Sequence, residues 1–290
     1  MDKQYSLREA VAQIEDGMTV GIGGWGARRK PMALLREILR SELKDLTVVA
    51  CGGAELGMLC ATGKVRKLVF AFVPPDSIPL GPCFRQILRS GAIEVMEIDE
   101  GMLQLGLRAA AWGLPFMPTG AGLGTDVLTR NPQIKLVDSP YDDKEWVAMP
   151  ALQLDVSLLH VDRADARGVC QIAGPDHYLD DGFARAATRT IVSCEELVAS
   201  DFFHDPARAR QVFWERSATS VVVEAPGGAH PGSCNPQYGA DLRHFGTCVA
   251  AAEDGGMVGY LQQYLGADEA EYQHNVGGLD AIRALELPTC

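Results

Sequence analysis

The stretch Gly21-Ile22-Gly23-Gly24-Trp25-Gly26-Ala27-Arg28-Arg29-Lys30-Pro31 decides how this chain is read. Gly21, Gly23 and Gly26 fit the G-x-G-x-x-G spacing of dinucleotide loops. Thr19–Ile22 before them has the composition of a strand. The residues after Pro31 place apolar side chains at 32, 34, 35, 38 and 39, one face of a helix. Strand, glycine loop and helix in that order are the context a nucleotide site needs. A dinucleotide fold also needs a carboxylate at the end of its second strand, to accept the ribose hydroxyls. That strand, Leu46–Ala50, runs into Cys51-Gly52-Gly53 with no acid there. Trp25 adds bulk where a pyrophosphate would lie against backbone. The sequence therefore argues against NAD or FAD and for a loop serving an anion or a thioester. Arg28, Arg29 and Lys30 stand where a helix dipole disfavours cations. An anionic ligand, an acidic neighbour or a solvated surface would each account for them.

Outward from this loop the pattern repeats. Ser6-Leu7-Arg8-Glu9 is a capping box, opening a helix expected to end near Gly17. Strands are expected at 19–22, 46–50, 67–73 and 93–98. Helices are expected at 31–40, 84–90 and 101–112. Four alternations of strand and helix in 115 residues predict an open, mostly parallel sheet flanked by helices, an α/β fold. Further strands are expected at 155–161, 190–194 and 220–224, and helices at 260–265 and 268–276. The chain reads as one domain over 1–290, with loop excursions near 74–83, 115–150 and 225–243. Asp176-His177 with Asp180-Asp181 fits no metal-ligand spacing and reads as a polar surface turn.

Composition narrows the function. Of 290 residues, 26 are Lys or Arg and 38 Asp or Glu, a net charge of −12. That charge opposes a nucleic-acid surface, which needs a basic face. No apolar run reaches the length of a membrane span. The polar N-terminus MDKQYSLREA lacks a secretory core, and the eight scattered cysteines form no C-x-x-C pair. A cytoplasmic protein without disulfides or a metal site is expected.

Four motifs occur in a fixed order: Gly21-Ile22-Gly23-Gly24-Trp25-Gly26 with Arg29-Lys30-Pro31, Asp99-Glu100-Gly101-Met102-Leu103, Ala121-Gly122-Leu123-Gly124-Thr125-Asp126, and Glu224-Ala225-Pro226-Gly227-Gly228-Ala229-His230-Pro231. Together they make the chain resemble the alpha subunits of family I CoA-transferases, the glutaconate CoA-transferase group. Within it, the likeness is greatest to the alpha subunits of cholesterol ring-cleaving acyl-CoA hydrolases. One departure lies after Asp165-Ala166-Arg167-Gly168, where many relatives continue with Asn and this chain with Val169.

The resemblance implies a CoA-transferase-type sheet, a beta subunit of similar fold as partner, and an acyl-CoA substrate whose CoA is the only cofactor-like group. It implies hydrolytic, retro-Claisen ring opening of a steroid-derived cyclic-ketone acyl-CoA. The alternatives are CoA transfer between carboxylic acids and a non-catalytic subunit completing a beta-subunit site. The transferase's thioester-forming glutamate sits in an S-E-N-G-like motif, which this chain lacks. The resemblance points instead to Glu100, as the base that activates water. Read from its position alone, Glu100 or Asp99 would cap the following helix. Gly23 and Gly24 are candidates for offering N–H groups to a substrate oxygen, or form a tight packing turn. Trp25 walls a pocket or fills core; Arg28, Arg29 and Lys30 hold a carboxylate or CoA phosphate, or salt-bridge to the beta subunit. Gly122 and Gly124 join the substrate-binding candidates. His230 shuttles protons or is a hydrogen-bonded loop histidine.

Overall fold

The structure is a computed structural model, and it describes residues 2–53, 55–72, 89–253 and 256–287. Its frame is a sheet in which β1 (Thr19–Ile22), β2 (Leu46–Ala50), β3 (Val65–Phe70), β4 (Glu94–Glu97), β8 (Leu154–Asp165), β10 (Ala187–Val198) and β11 (Thr219–Glu224) run in the order β11-β10-β8-β1-β2-β3-β4. All six pairings along this path are parallel. A two-residue strand, β9 (Cys170–Gln171), adds antiparallel to β8. Parallel strands are covered by helices on both faces, so they read as continuous apolar runs. Leu46-Thr47-Val48-Val49-Ala50 is the purest example, buried at every position.

From β1 the chain steps outward through β2, β3 and β4. Its second half steps outward the other way, through β8, β10 and β11. The order reverses between β1 and β8, and ligands of open α/β sheets bind beyond the carboxyl ends of the strands at such a point. The Gly23–Gly26 loop leaves β1 there. One core packs Leu34, Leu35 and Ile38 of helix Met32–Arg40 under β1–β3. The other packs Met102, Leu103 and Leu107 of helix Glu100–Ala111 and Phe183 of helix Asp180–Ala186 against the opposite face. Full burial of each such side chain contributes about 1.5–3 kcal/mol.

Several expectations are corrected. The region 115–150 is not a loose excursion: β5 (Phe116–Thr119), β6 (Lys135–Asp138) and β7 (Glu145–Pro150) form an antiparallel sheet in the order β5-β7-β6. Its outer strands are short and largely exposed, so they lack the apolar signature that marks a covered strand. The first helix ends at Val11 rather than near Gly17. β8 and β10 each extend to 12 residues. Helices Glu55–Ala61, Asp180–Ala186, Leu242–Glu253 and Leu279–Arg283 were not foreseen. Residues 225–241 form an irregular connection, as expected. The proline-rich loop over 74–83 lies outside the described residues, as does the helix expected over 84–90 up to residue 88.

Candidate active site

Glu100 opens helix Glu100–Ala111 just beyond the carboxyl end of β4. The helix is capped by Asp99, whose Oδ1 accepts from the N–H groups of Gly101 at 2.8 Å and Met102 at 3.3 Å. The cap is thus supplied by Asp99, and the Glu100 side chain turns elsewhere. Its Oε1 accepts from Trp25 Nε1 at 2.5 Å, and the Cys51 thiol lies 3.8 Å from the same oxygen. Oε2 has no hydrogen bond to the described residues, and the residue is exposed. Three strand ends meet here: Trp25 follows β1, Cys51 follows β2 and Glu100 follows β4. Burial, with the nearby Glu100 carboxylate, pushes the Cys51 thiol up to about 12 despite Lys30, so it stays protonated at neutral pH.

Trp25 is half-buried and framed by aromatic rings. Tyr178 stacks on it at 5.3 Å and 22°, and Phe72 lies 5.2 Å away at 36°. The Arg28 guanidinium sits 5.0 Å from its ring centroid, within cation–π range.

The rest of the loop is turned inward. Gly23 N–H donates to Leu158 O at 2.9 Å, Gly24 N–H to Asp180 Oδ1 at 2.8 Å, and Trp25 N–H to Arg28 O at 3.0 Å. These donors, considered above for a substrate oxygen, are engaged within the chain. The loop acts by holding Trp25. Gly24 takes φ of +71°, and a Cβ there would stand 2.5 Å from Arg28 O, so only glycine fits. The helix after the loop starts at Met32, well past the glycines.

Arg29 and Lys30 are almost fully buried, so the acidic-neighbour explanation of these cations applies, and neither offers its charge to an outside carboxylate or phosphate. Arg29 Nη1 pairs with Asp180 Oδ2 at 2.7 Å and donates to His160 O at 2.9 Å; Nη2 donates to Asp176 O. Lys30 Nζ lies 2.9 Å from Glu55 Oε1, an ion pair without hydrogen-bond geometry, and donates to Cys51 O at 3.1 Å. The Asp176–Asp181 segment is therefore no surface turn. Asp176 and Asp180 are buried and grip the glycine loop.

Gly122 and Gly124 lie in the loop before helix Asp126–Arg130. A Cβ at Gly122 would stand 3.2 Å from Met102 Sδ, which places this loop beside the start of the Glu100 helix. His230 is elsewhere. It is 1% exposed, with Nδ1 2.7 Å from Tyr272 OH and Nε2 3.3 Å from Asp241 Oδ2, both at the C-terminal helices. Burial, with the nearby Arg36 and His244, lowers its pKa to about 3, so it is a neutral structural ring rather than a proton shuttle.

Sequence reasoning missed a second cluster. His160 Nε2 lies 2.9 Å from Glu195 Oε1, across paired strands β8 and β10. An ionised carboxylate only accepts, so the hydrogen is on Nε2. Tyr238 OH donates to the same oxygen at 2.6 Å and Gly227 N–H to Oε2 at 2.8 Å. Burial works to raise the Glu195 pKa, but these three donors outweigh it and hold the carboxylate below its usual range. His160, Glu195 and Cys234 are the one group of three metal-capable side chains found together among the described residues. His160 and Glu195 spend their donor atoms on each other, so the cluster fits a hydrogen-bond network rather than a metal cage.

A parallel sheet with a glycine loop at its switch point, and a loop-held carboxylate three strands away, defines an α/β enzyme of CoA-transferase type. Residues 5–209 match the coenzyme A transferase family, and the chain belongs to that family. It is 44% identical to the cholesterol ring-cleaving hydrolase IpdA subunit of Mycobacterium tuberculosis, over 95% of this chain and 98% of that one. It is 42% identical to the same-named subunit of Rhodococcus jostii, over 94% and 95%. The crystal structure of glutaconate coenzyme A-transferase from Acidaminococcus fermentans superposes with a TM-score of 0.90 at 25% identity, covering 99% of this chain and 96% of that one.

Proposed function

We propose that this chain is the alpha subunit of a two-subunit cytoplasmic hydrolase that opens a ring of a steroid-derived cyclic-ketone acyl-CoA. The carrying observation is Glu100: an exposed carboxylate with Oε1 fixed by the Trp25 indole and Oε2 without a hydrogen bond to the described residues. Such a group can take a proton from water while its orientation is held. As the proton leaves, the water oxygen bonds to the ring-ketone carbon. The alkoxide then collapses to a carboxylic acid, the ring C–C bond breaks, and its electron pair goes to the neighbouring carbon. That carbon takes the proton back from Glu100, so one water is added and the carboxylate regenerated. The CoA is part of the substrate, and no further cofactor is assigned. The beta subunit is assigned the role of closing the exposed side of Glu100. The subunit names of the related proteins support a heteromer. Among the described residues no helix is long and apolar enough to cross a membrane, and the buried free cysteines suit a reducing compartment.

The test is isotopic. The purified two-subunit complex is given a bicyclic ketone acyl-CoA in ¹⁸O-water, with and without a free carboxylic acid as CoA acceptor. The proposal expects a ring-opened product with one heavy oxygen in the new carboxylate and CoA still attached. Movement of CoA to the acceptor, with the ring intact, would establish CoA transfer instead.

A further inference from the structure

We propose that Asp180 and Tyr178 are positioning residues for Glu100, acting through Trp25. The inference rests on the reading of Glu100 given above. One carboxylate lies beneath the glycine turn: Asp180 Oδ1 accepts from Gly24 N–H at 2.8 Å, and Oδ2 pairs with Arg29 Nη1 at 2.7 Å. It thus ties the two arms of the turn together, with Trp25 at the tip between them. The fit is close, since a Cβ at Gly23 would stand 2.8 Å from Asp180 Oδ1. Asp180 is 1% exposed, away from the screening that weakens surface pairs.

Tyr178, two residues earlier, stacks on the Trp25 ring, and its hydroxyl donates to Asp176 Oδ1 at 3.2 Å. Asp180 therefore fixes the backbone that carries Trp25, and Tyr178 fixes the plane of its ring. What remains is the direction of Nε1, and that points at Glu100 Oε1. The contacts run across the switch point. Tyr178 and Asp180 stand between β9 and β10 in one half of the sheet, while Glu100 follows β4 at the far edge of the other. A rigid element on one side thus sets the geometry of a reacting group on the other. Displacing such a group by about 1 Å costs on the order of 100-fold in rate.

The test is a double-mutant cycle in the two-subunit complex, reading kcat and KM on the cyclic-ketone acyl-CoA. Tyr178→Leu and Asp180→Asn are made alone and together with Glu100→Gln. Each single variant should lower kcat about 10- to 100-fold with KM changed less than about twofold. In the Glu100→Gln background that loss should vanish, because an absent base cannot be misplaced. Tyr178→Phe keeps the ring and should recover most of the rate. Equal losses in both backgrounds, or an effect on KM alone, would overturn the proposal. Asp180→Asn leaves the Arg29 charge buried without its partner; if it does not fold, the Tyr178→Leu cycle decides, since that ring is 38% exposed. Full turnover by Glu100→Gln itself would overturn the Glu100 reading and this proposal with it. Loss there, with additive effects of the clamp variants, would overturn the clamp alone.

Discussion

Among the described residues a ring N–H meets a glutamate twice, and the two pairings differ in nearly everything except chemistry. At the strand ends, Trp25 donates to Glu100, and the second carboxylate oxygen has no hydrogen bond to the described residues. Between β8 and β10, His160 donates to Glu195, and Tyr238 and Gly227 donate to the same carboxylate. The first glutamate is exposed and the second is 6% exposed. A buried carboxylate held by three donors can stabilise a fold but is closed to a substrate. One satisfied on a single side is oriented and still basic. The contrast separates the group assigned to chemistry from the group assigned to structure.

The largest expected effect concerns the exposed side of Glu100. If a second subunit completes that side, the isolated chain should show no turnover, and mixing with its partner should restore it. A stable monomer with full activity on an acyl-CoA would remove the need for a partner. Next comes the sealed pair. Glu195→Ala strips the acceptor from three buried donors, and leaving a buried donor unsatisfied costs about 1–3 kcal/mol. Denaturation of the complex should show that loss; a change below about 1 kcal/mol would mean the cluster is not the structural network described.

A smaller effect follows from pH. His230 has a folded pKa of about 3, below its unfolded value of about 6.5. Between these values the unfolded chain binds a proton that the folded chain does not, so stability falls as pH drops through that window. This one ring contributes up to about 1.4 kcal/mol per pH unit, and His244, lowered mainly by burial, adds in the same direction. His230→Gln should flatten the acid limb of stability between pH 6 and 4; an unchanged limb would place the acid sensitivity elsewhere. The smallest effect separates the neighbours at the helix start. Asp99→Ala removes a cap and should cost about 1 kcal/mol of stability while turnover stays near wild type.

The parallel sheet was legible because covered strands such as Leu46–Ala50 are apolar apart from Thr47, and the glycine loop marked the end of β1. Glu100 was singled out through Asp99-Glu100-Gly101-Met102-Leu103 and the family resemblance; the residues alone favoured a cap. What could not be read depends on distant partners. Asp180 looks like a surface acid until the fold brings it under Gly24, 156 residues away. Arg29 and Lys30 look solvated until Asp180 and Glu55 are placed beside them. The His160–Glu195 contact exists because β8 and β10 pair in parallel with His160 opposite Ser193, and no local pattern encodes that register. The small sheet over 116–150 escaped because its outer strands are short and half exposed, so neither alternation nor a continuous apolar run announces them.

The central claim is that Glu100 is a base and not a cap. Glu100→Gln keeps the size and the acceptor for Trp25 Nε1 but removes basicity. Turnover and melting temperature should be measured together in the two-subunit complex. General-base catalysis contributes about 10²- to 10⁴-fold, so the account predicts a rate loss in that range with the melting temperature and acyl-CoA binding nearly unchanged. An unchanged rate with a lowered melting temperature would contradict it.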